Sequence, residues 1–420
     1  MSESRLLKRT SFFNRHCFSI VLFLFLLVFH IVIVNRLKLW RLSDLTYSLF
    51  CVDFSFGFAS KLLPGAIFNT IFASHANRFT ANVYAVVLIL LVFIGVSVLL
   101  ERFIMSMPEK HKMLALALVV FFLSGAYSLS IYTKWLGVSD TYWIVLLLLF
   151  FFFIDRKWLR LLIPIIYITA LMIHFSSLVF FIPIFSIILL YRIAVSSDKS
   201  EKKTYGIIFV VSICVSIIFF FFLILSEAKY VCPIEEFHEK MKNHGTTFFT
   251  YYDYAFFHIL YGEELFPSVD DIQSPLLKFF YMFYYQVRLC FKLFFNNVVD
   301  SLSVTIGGLV LIAPMITAFL CAQWKYFKQK SNGLRRFVAF LMMLQVPFSL
   351  ILGVLFAISA DITRYYTYLM ISVFTYCLAV LYYEEDKRED FFDSLKRFMK
   401  TPAALIYFLY YSVFTLMPCL

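Results

Sequence analysis

Long apolar runs separated by short charged segments recur along almost the whole chain. They fall at 17–34, 83–100, 113–132, 141–154, 161–172, 175–190, 206–225, 304–322, 337–358, 366–383 and 403–416. A membrane-crossing helix takes about 20 predominantly apolar residues, so the pattern predicts about eleven spans. The expected fold class is therefore all-α, a polytopic integral membrane protein in which residues 1–420 form one transmembrane domain. The first run follows Arg5, Lys8, Arg9 and Arg15, lacks a small-residue cleavage site and ends in Asn35-Arg36, which reads as a retained signal-anchor.

The stretch 161–190 needs an argument of its own. As one straight helix its 30 residues would be about 45 Å long, and as two legs about 22 Å each. Both flanks are basic, with Arg156, Lys157 and Arg160 before it and Arg192, Lys199, Lys202 and Lys203 after it, so both belong on the cytoplasmic side. That requires a hairpin. Two short legs cannot cross a hydrocarbon layer about 30 Å thick, so the tip, Ile173-His174-Phe175-Ser176-Ser177, is expected below the outer surface, lining a cavity or buried in protein.

Two outer segments interrupt the apolar pattern. The first, 35–79, is too apolar from Asp44 to Phe72 for a solvated loop and reads as interfacial. The second, 227–301, is the only sizeable polar region. Within it Lys278, Tyr281, Tyr285, Arg288 and Lys292 recur at spacings of 3, 4, 3 and 4, which predicts an amphipathic helix over 276–295 lying in the outer interface.

Composition agrees with the pattern. Of 420 residues 62% are hydrophobic and 15% charged, against about 25% charged in an ordinary soluble domain. A soluble core cannot absorb that much apolar surface. The net charge of +11 would suggest nucleic acid in a soluble protein, but here topology accounts for it. With the N-terminus cytoplasmic, 24 of the 37 basic and 12 of the 26 acidic residues lie inside, so net charge is +12 inside and −1 outside. This is the positive-inside bias, and no nucleic-acid partner follows. The eight cysteines contain no CxxC and no zinc-like Cys/His spacing, so neither a metal site nor a disulfide framework is expected. No Walker A, HExxH, GxSxG or GxGxxG signature is present, and no cofactor is assigned.

Ionisable residues near the hydrocarbon are expensive and therefore are the candidates for function. In this topology the unusual ones share the outer side: Asp53 in the first outer segment, Asp140 at the start of a short span, His174 at the hairpin tip, and Asp361 with Arg364 between two spans. Asp53 is flanked by aromatics, and a carboxylate in apolar surroundings is poised as a general acid or base. It equally suits a helix cap. Lys61 follows eight residues later, within reach of a phosphate if the segment is helical. Asp140 has a plain reading as an N-cap, and His174 one as the packing of a tight turn. Asp361 and Arg364, three apart, could form an exposed ion pair of a few tenths of a kcal/mol. Arginine also matches phosphate by bidentate hydrogen bonds.

A channel would need polar positions along consecutive spans, and a secondary transporter broken helices in two related halves. Neither pattern is evident, because the spans are apolar through their centres and the polar groups gather near one surface. The layout resembles the membrane-embedded glycosyltransferases of the C superfamily, on the residues Asp44 to Gly65 between the first two spans and the long outer segment. That resemblance implies transfer of a sugar from a polyprenyl-phosphate-linked donor, at the outer face of a bacterial inner membrane, to a polysaccharide or lipid-linked acceptor. Asp53 would be the base, Asp140 and His174 further catalytic residues, and Arg364, Asp361, Lys61 and Arg288 the groups holding substrate. The run Met172-Ile173-His174-Phe175-Ser176-Ser177-Leu178 with Pro183 also resembles a segment of O-antigen and exopolysaccharide polymerases. That family implies joining one lipid-diphosphate-linked repeat unit to another. A transporter of a lipid-linked or anionic solute is the alternative from another class.

Overall fold

The computed structural model describes residues 16–34, 42–56, 58, 60, 62–124, 139–230, 234–243, 272–274, 333–356, 362–407 and 409, with isolated positions between 276 and 324. The secondary structure among them is helical throughout, with no strand. The helices are α1 (Cys17–Phe29), continued by a π turn at His30–Val34, α2 (Asp44–Cys51), α3 (Leu63–Phe72), α4 (Arg78–Met105), α5 (Glu109–Leu123), α6 (Ser139–Ile154), α7 (Ile163–Ile173), α8 (Ser177–Val195), α9 (Lys199–Tyr230), α10 (Ile234–Asn243), α11 (Gly333–Phe356), α12 (Ile362–Tyr383) and α13 (Glu385–Met399).

Four stretches, Arg78–Met105, Ser177–Val195, Lys199–Ser226 and Tyr366–Tyr383, are long and apolar enough to cross a membrane. That is the signature of a helical membrane protein. The outward faces agree: α9 exposes Ile207, Val210, Ile217, Ile218, Phe221 and Leu225, a stripe that only lipid would cover without cost. Other apolar helices are shorter, as at Asp140–Ile154 and Leu159–Ile173.

Local signals set the helix ends. Asn77 caps α4, its Oδ1 accepting from the Phe79 and Thr80 backbone N–H groups at 2.9 and 3.0 Å while Thr80 Oγ1 accepts from Asn77 N–H. This is a capping box written in sequence. Other ends are closed from a distance. Glu101 on α4 reaches the start of α1, accepting from Ser19 N–H at 3.2 Å and Ser19 Oγ at 2.6 Å. A carboxylate there satisfies an orphan donor and suits the positive end of the helix. At the crossing of α4 and α6, a Cβ on Gly95 would meet Leu148 Cδ1 at 2.7 Å, so glycine permits the close approach.

The direction of each helix follows from its cross-contacts. Tyr368 reaches Asp140 and Tyr383 reaches Asp155, so α6 and α12 are parallel. Tyr84 with Tyr142, and Tyr191 with Glu384, add α4 and α8 to that set. Helices α1, α9 and α11 run the other way, as Ser19 with Glu101, Tyr205 with the Ile154 carbonyl, and Arg335 with Glu384 attest. The hairpin expected over 161–190 is present: α7 and α8 turn back on each other at His174-Phe175-Ser176. Of the outer stretch 276–295, residues 276, 277, 280, 281, 284 and 288 are described, and each is helical. The charged run at 384–388 opens α13, an amphipathic helix whose Phe391, Phe392 and Leu395 pack on the core.

Candidate functional site

The chemistry concentrates at one end of the bundle, where α6 and α12 begin and α7 turns into α8. Asp140, in the first turn of α6, is 1% exposed. Its Oδ1 accepts from the Tyr368 hydroxyl at 2.5 Å. A buried carboxyl needs such donors, because an unsatisfied one costs several kcal/mol. Trp143 lies three residues along α6 and is fully buried. Its indole packs edge-on against both Tyr368 and His174, at centroid distances of 5.4 and 5.9 Å, and against Phe181 at 4.9 Å. One tryptophan thus joins the two candidate residues Asp140 and His174 through a shared aromatic wall.

The turn itself fixes His174. The residue ends α7 in extended backbone, with φ −169° and ψ 138°. Its Nδ1 accepts from the Ser176 backbone N–H at 3.0 Å and lies 2.8 Å from Ser176 Oγ. A backbone N–H can only donate, so Nδ1 carries no proton and the neutral ring bears its proton on Nε2. His174 is half-buried. It presents a ring whose orientation and tautomer are set by its own turn, two properties that a proton-carrying or phosphate-holding histidine needs. Three further polar atoms at this end, Trp143 Nε1, Thr141 Oγ1 and Ser177 Oγ, are buried without a hydrogen-bond partner among the described residues.

The first outer segment caps the same end. Ser43 caps α2 by accepting from Thr46 N–H at 3.1 Å. Asp53 follows α2 and opens a single 3-10 turn at Phe54–Phe56, its Oδ1 accepting from Ser55 N–H at 2.8 Å. Its Oδ2 accepts from the Asn69 side-chain amide on α3 at 2.7 Å. Asp53 is half-buried, so it keeps access to solvent while both oxygens are held. Gly65 makes this packing possible: a Cβ there would fall 1.8 Å from the Val52 carbonyl oxygen, the residue before Asp53. The segment docks on the bundle through Ser60, which donates to the Leu171 carbonyl at 3.0 Å, and through Phe58 against Phe222. Leu171 is three residues from His174. Asp53, Asp140 and His174 therefore occupy one end.

Of the other residues singled out from sequence, Arg288 is described as an exposed helical position. Lys61 and Asp361 lie outside the described residues, as does the side chain of Arg364, whose backbone belongs to the first turn of α12. Trp143, Tyr368, Thr141 and Asn69 were not singled out. A signal existed for Trp143, three residues from Asp140 and so on its helix face. Tyr368 is 228 residues from Asp140 and had none.

The opposite end carries a different chemistry. Arg192 lies 3.9 Å over the Tyr383 ring, Arg160 4.7 Å over Tyr205, and Arg335 pairs with Glu384 at 3.6 Å. Arg388 donates to the Leu381, Ser106 and Tyr382 carbonyls at 2.6, 2.6 and 2.8 Å. These are structural ties, in which guanidinium forks close helix ends. Among the described residues, no three His, Cys, Asp or Glu side chains cluster to hold a metal. No protein-family profile, curated protein or solved structure matches the chain.

Proposed function

We propose that the protein is a membrane-embedded glycosyltransferase with about eleven spans and a cytoplasmic N-terminus. It acts at the outer face of a bacterial inner membrane on a polyprenyl-(di)phosphate-linked sugar, and its product is a surface polysaccharide or its lipid-linked precursor. One observation carries the reading: the two ends of the bundle hold different chemistry. Asp53, Asp140 and His174 gather at one end, while the arginine ties close helix termini at the other. A site confined to one end suits an enzyme working on a lipid-borne substrate at one membrane face. A transporter would instead place its polar site near the midplane between related halves.

In this reaction an acceptor hydroxyl attacks the anomeric carbon, and the bond from that carbon to the phosphate oxygen breaks. Asp53, accessible and held by Asn69 and Ser55, takes the hydroxyl proton. The bonding pair leaves with the phosphate, whose growing charge is met by the Nε2–H of His174 and by Arg364. Asp140 and Tyr368 act through Trp143, holding the wall against which His174 is oriented.

The test is gel-ladder and sugar-linkage analysis of surface polysaccharide in a host lacking the gene, complemented with wild type, Asp53→Asn or His174→Ala at matched protein levels. Loss of one branch sugar supports single-sugar transfer. Collapse of a long ladder to one repeat unit supports the polymerase form of the same chemistry, which the His174-Phe175-Ser176-Ser177 turn also suits. An unchanged profile on gene loss removes the proposal and favours transport.

A further inference from the structure

A shallow groove, open to the outside, lies between the last turns of α4, α6 and α12, at the end of the bundle away from Asp140 and His174. Its walls are apolar, from Leu99, Phe103, Phe151 and Leu378, and its polar lining includes Arg102 and Asp155. The groove's carboxylate, Asp155, accepts at Oδ1 from the Tyr383 hydroxyl at 2.8 Å. Arg102 is exposed and has no carboxylate partner among the described residues. The same holds for Arg156, one residue beyond Asp155.

Both guanidinium groups lean on one ring. Arg156 lies 4.1 Å from the Phe152 centroid and Arg102 5.8 Å. Phe152 thus gives both cations a common aromatic support at the rim of the groove that Arg102 lines. The level is that of lipid headgroups. Arg102 sits in the last turn of the 28-residue span α4. Nearby Trp158 is 85% exposed, as interfacial tryptophans are.

We propose that this groove binds an anionic glycerophospholipid, with an acyl chain against the Leu99, Phe103, Phe151 and Leu378 walls and the phosphate between Arg102 and Arg156. Guanidinium matches phosphate by paired N–H donors, and two cations against the single carboxylate of Asp155 leave the site net positive, which favours a headgroup of net negative charge. The leaflet is the one on the arginine-rich side, cytoplasmic in the orientation proposed above. The groove does not depend on the glycosyl-transfer reading.

The experiment is native mass spectrometry of the full chain in detergent, titrated with phosphatidylglycerol or phosphatidylethanolamine. The wild type is compared with R102A/R156A, R102K/R156K and L99W. Wild type should prefer phosphatidylglycerol. R102A/R156A should weaken that lipid by about tenfold and leave phosphatidylethanolamine nearly unchanged. The lysine pair should restore much of the preference, and L99W, which fills the slot, should weaken both lipids. Phosphatidylglycerol binding undiminished in R102A/R156A, or no lipid preference in wild type, would overturn the proposal. Size-exclusion profiles distinguish lost lipid from lost fold. R102Q/R156Q, which keeps bulk and removes both charges, provides the test if the alanine pair fails to fold: it too should lose the phosphatidylglycerol preference, and an undiminished preference in it would overturn the proposal.

Discussion

The Tyr368 hydroxyl donates to Asp140 Oδ1 across 228 residues of sequence, tying the first turn of α6 to the second turn of α12. Both residues are buried. The bond is therefore a structural clamp that also sets one wall of the His174 site, through Trp143.

Tyr368→Phe keeps the ring and removes this donor from a buried carboxyl. The expected cost is about 1–3 kcal/mol, seen as a lowered melting temperature in detergent. Polysaccharide synthesis should fall while the protein still reaches the membrane. Unchanged stability would mean that the hydroxyl is dispensable to Asp140.

Asn69→Ala removes the amide that holds Asp53 Oδ2. Asn69 does not touch the reacting atoms in the proposed reaction, so its loss should reduce product by about tenfold, as a misplaced base does. Asn69→Gln should not rescue it, because the longer side chain overshoots a fixed 2.7 Å contact. Ladder intensity at matched expression reads the effect.

Gly65→Ala places a methyl group 1.8 Å from the Val52 carbonyl oxygen, an impossible contact with backbone. The α2–α3 packing must open, at a cost of about 1–3 kcal/mol or more. Cys51 reports on it. In the folded protein it is 3% exposed, and burial pushes its thiol up to about 12, against a small lowering by a hydrogen bond from Tyr47. The thiolate is the nucleophile that attacks maleimide, so Cys51 should be inert at pH 7 in an otherwise cysteine-free variant and become labelled once Gly65 is replaced.

Arg388→Ala breaks three charge-assisted hydrogen bonds to the Leu381, Tyr382 and Ser106 carbonyls. These close the ends of α12 and α4 and start α13. We expect a loss of about 2–3 kcal/mol, and Arg388→Lys should recover little, because one ammonium cannot span carbonyls from two helices. Thermal melting of the purified protein decides it.

His111, at the start of α5, stacks on Phe392 of α13 at 5.1 Å, and both ring nitrogens are buried without partners among the described residues. Burial lowers its pKa, Lys396 and Lys110 lower it further, and Asp393 and Glu389 raise it by less. The sign follows from linkage. Below the unfolded value of about 6.5 the unfolded chain takes up a proton that the folded one resists. Stability from this contact is full above that pH and falls as the pH drops through it. A melting-temperature profile from pH 8 to pH 5 should lose part of its acid slope in His111→Phe. An identical slope in both proteins would exclude His111 as its source.

How much was legible in the sequence varied with the range of the interaction. The hairpin over 161–190 could be read because its reasons are local: a short apolar stretch with basic residues on both flanks. Helix α13 was not legible in the charged run that opens it, because its apolar residues Phe391, Phe392 and Leu395 gain meaning only against α5 and the core. For the same reason Asp53 could be noticed from its aromatic neighbours, whereas Asn69, which holds it, is an ordinary polar residue sixteen positions away.

The sequence by itself determined the class of molecule. Apolar run length, helix-compatible composition and the placement of lysine and arginine are additive properties of the chain, set by the cost of putting backbone and charge into hydrocarbon. Only the tertiary structure decided which of the scattered ionisable residues meet. Asp140 acquires Tyr368 and His174 acquires Trp143 because four helices bring their ends together, and Arg102 and Arg156 share Phe152 beside a groove that no single helix contains. Contacts of that kind depend on helix register and crossing, which the apolar pattern leaves open because every lipid-compatible face looks alike in sequence.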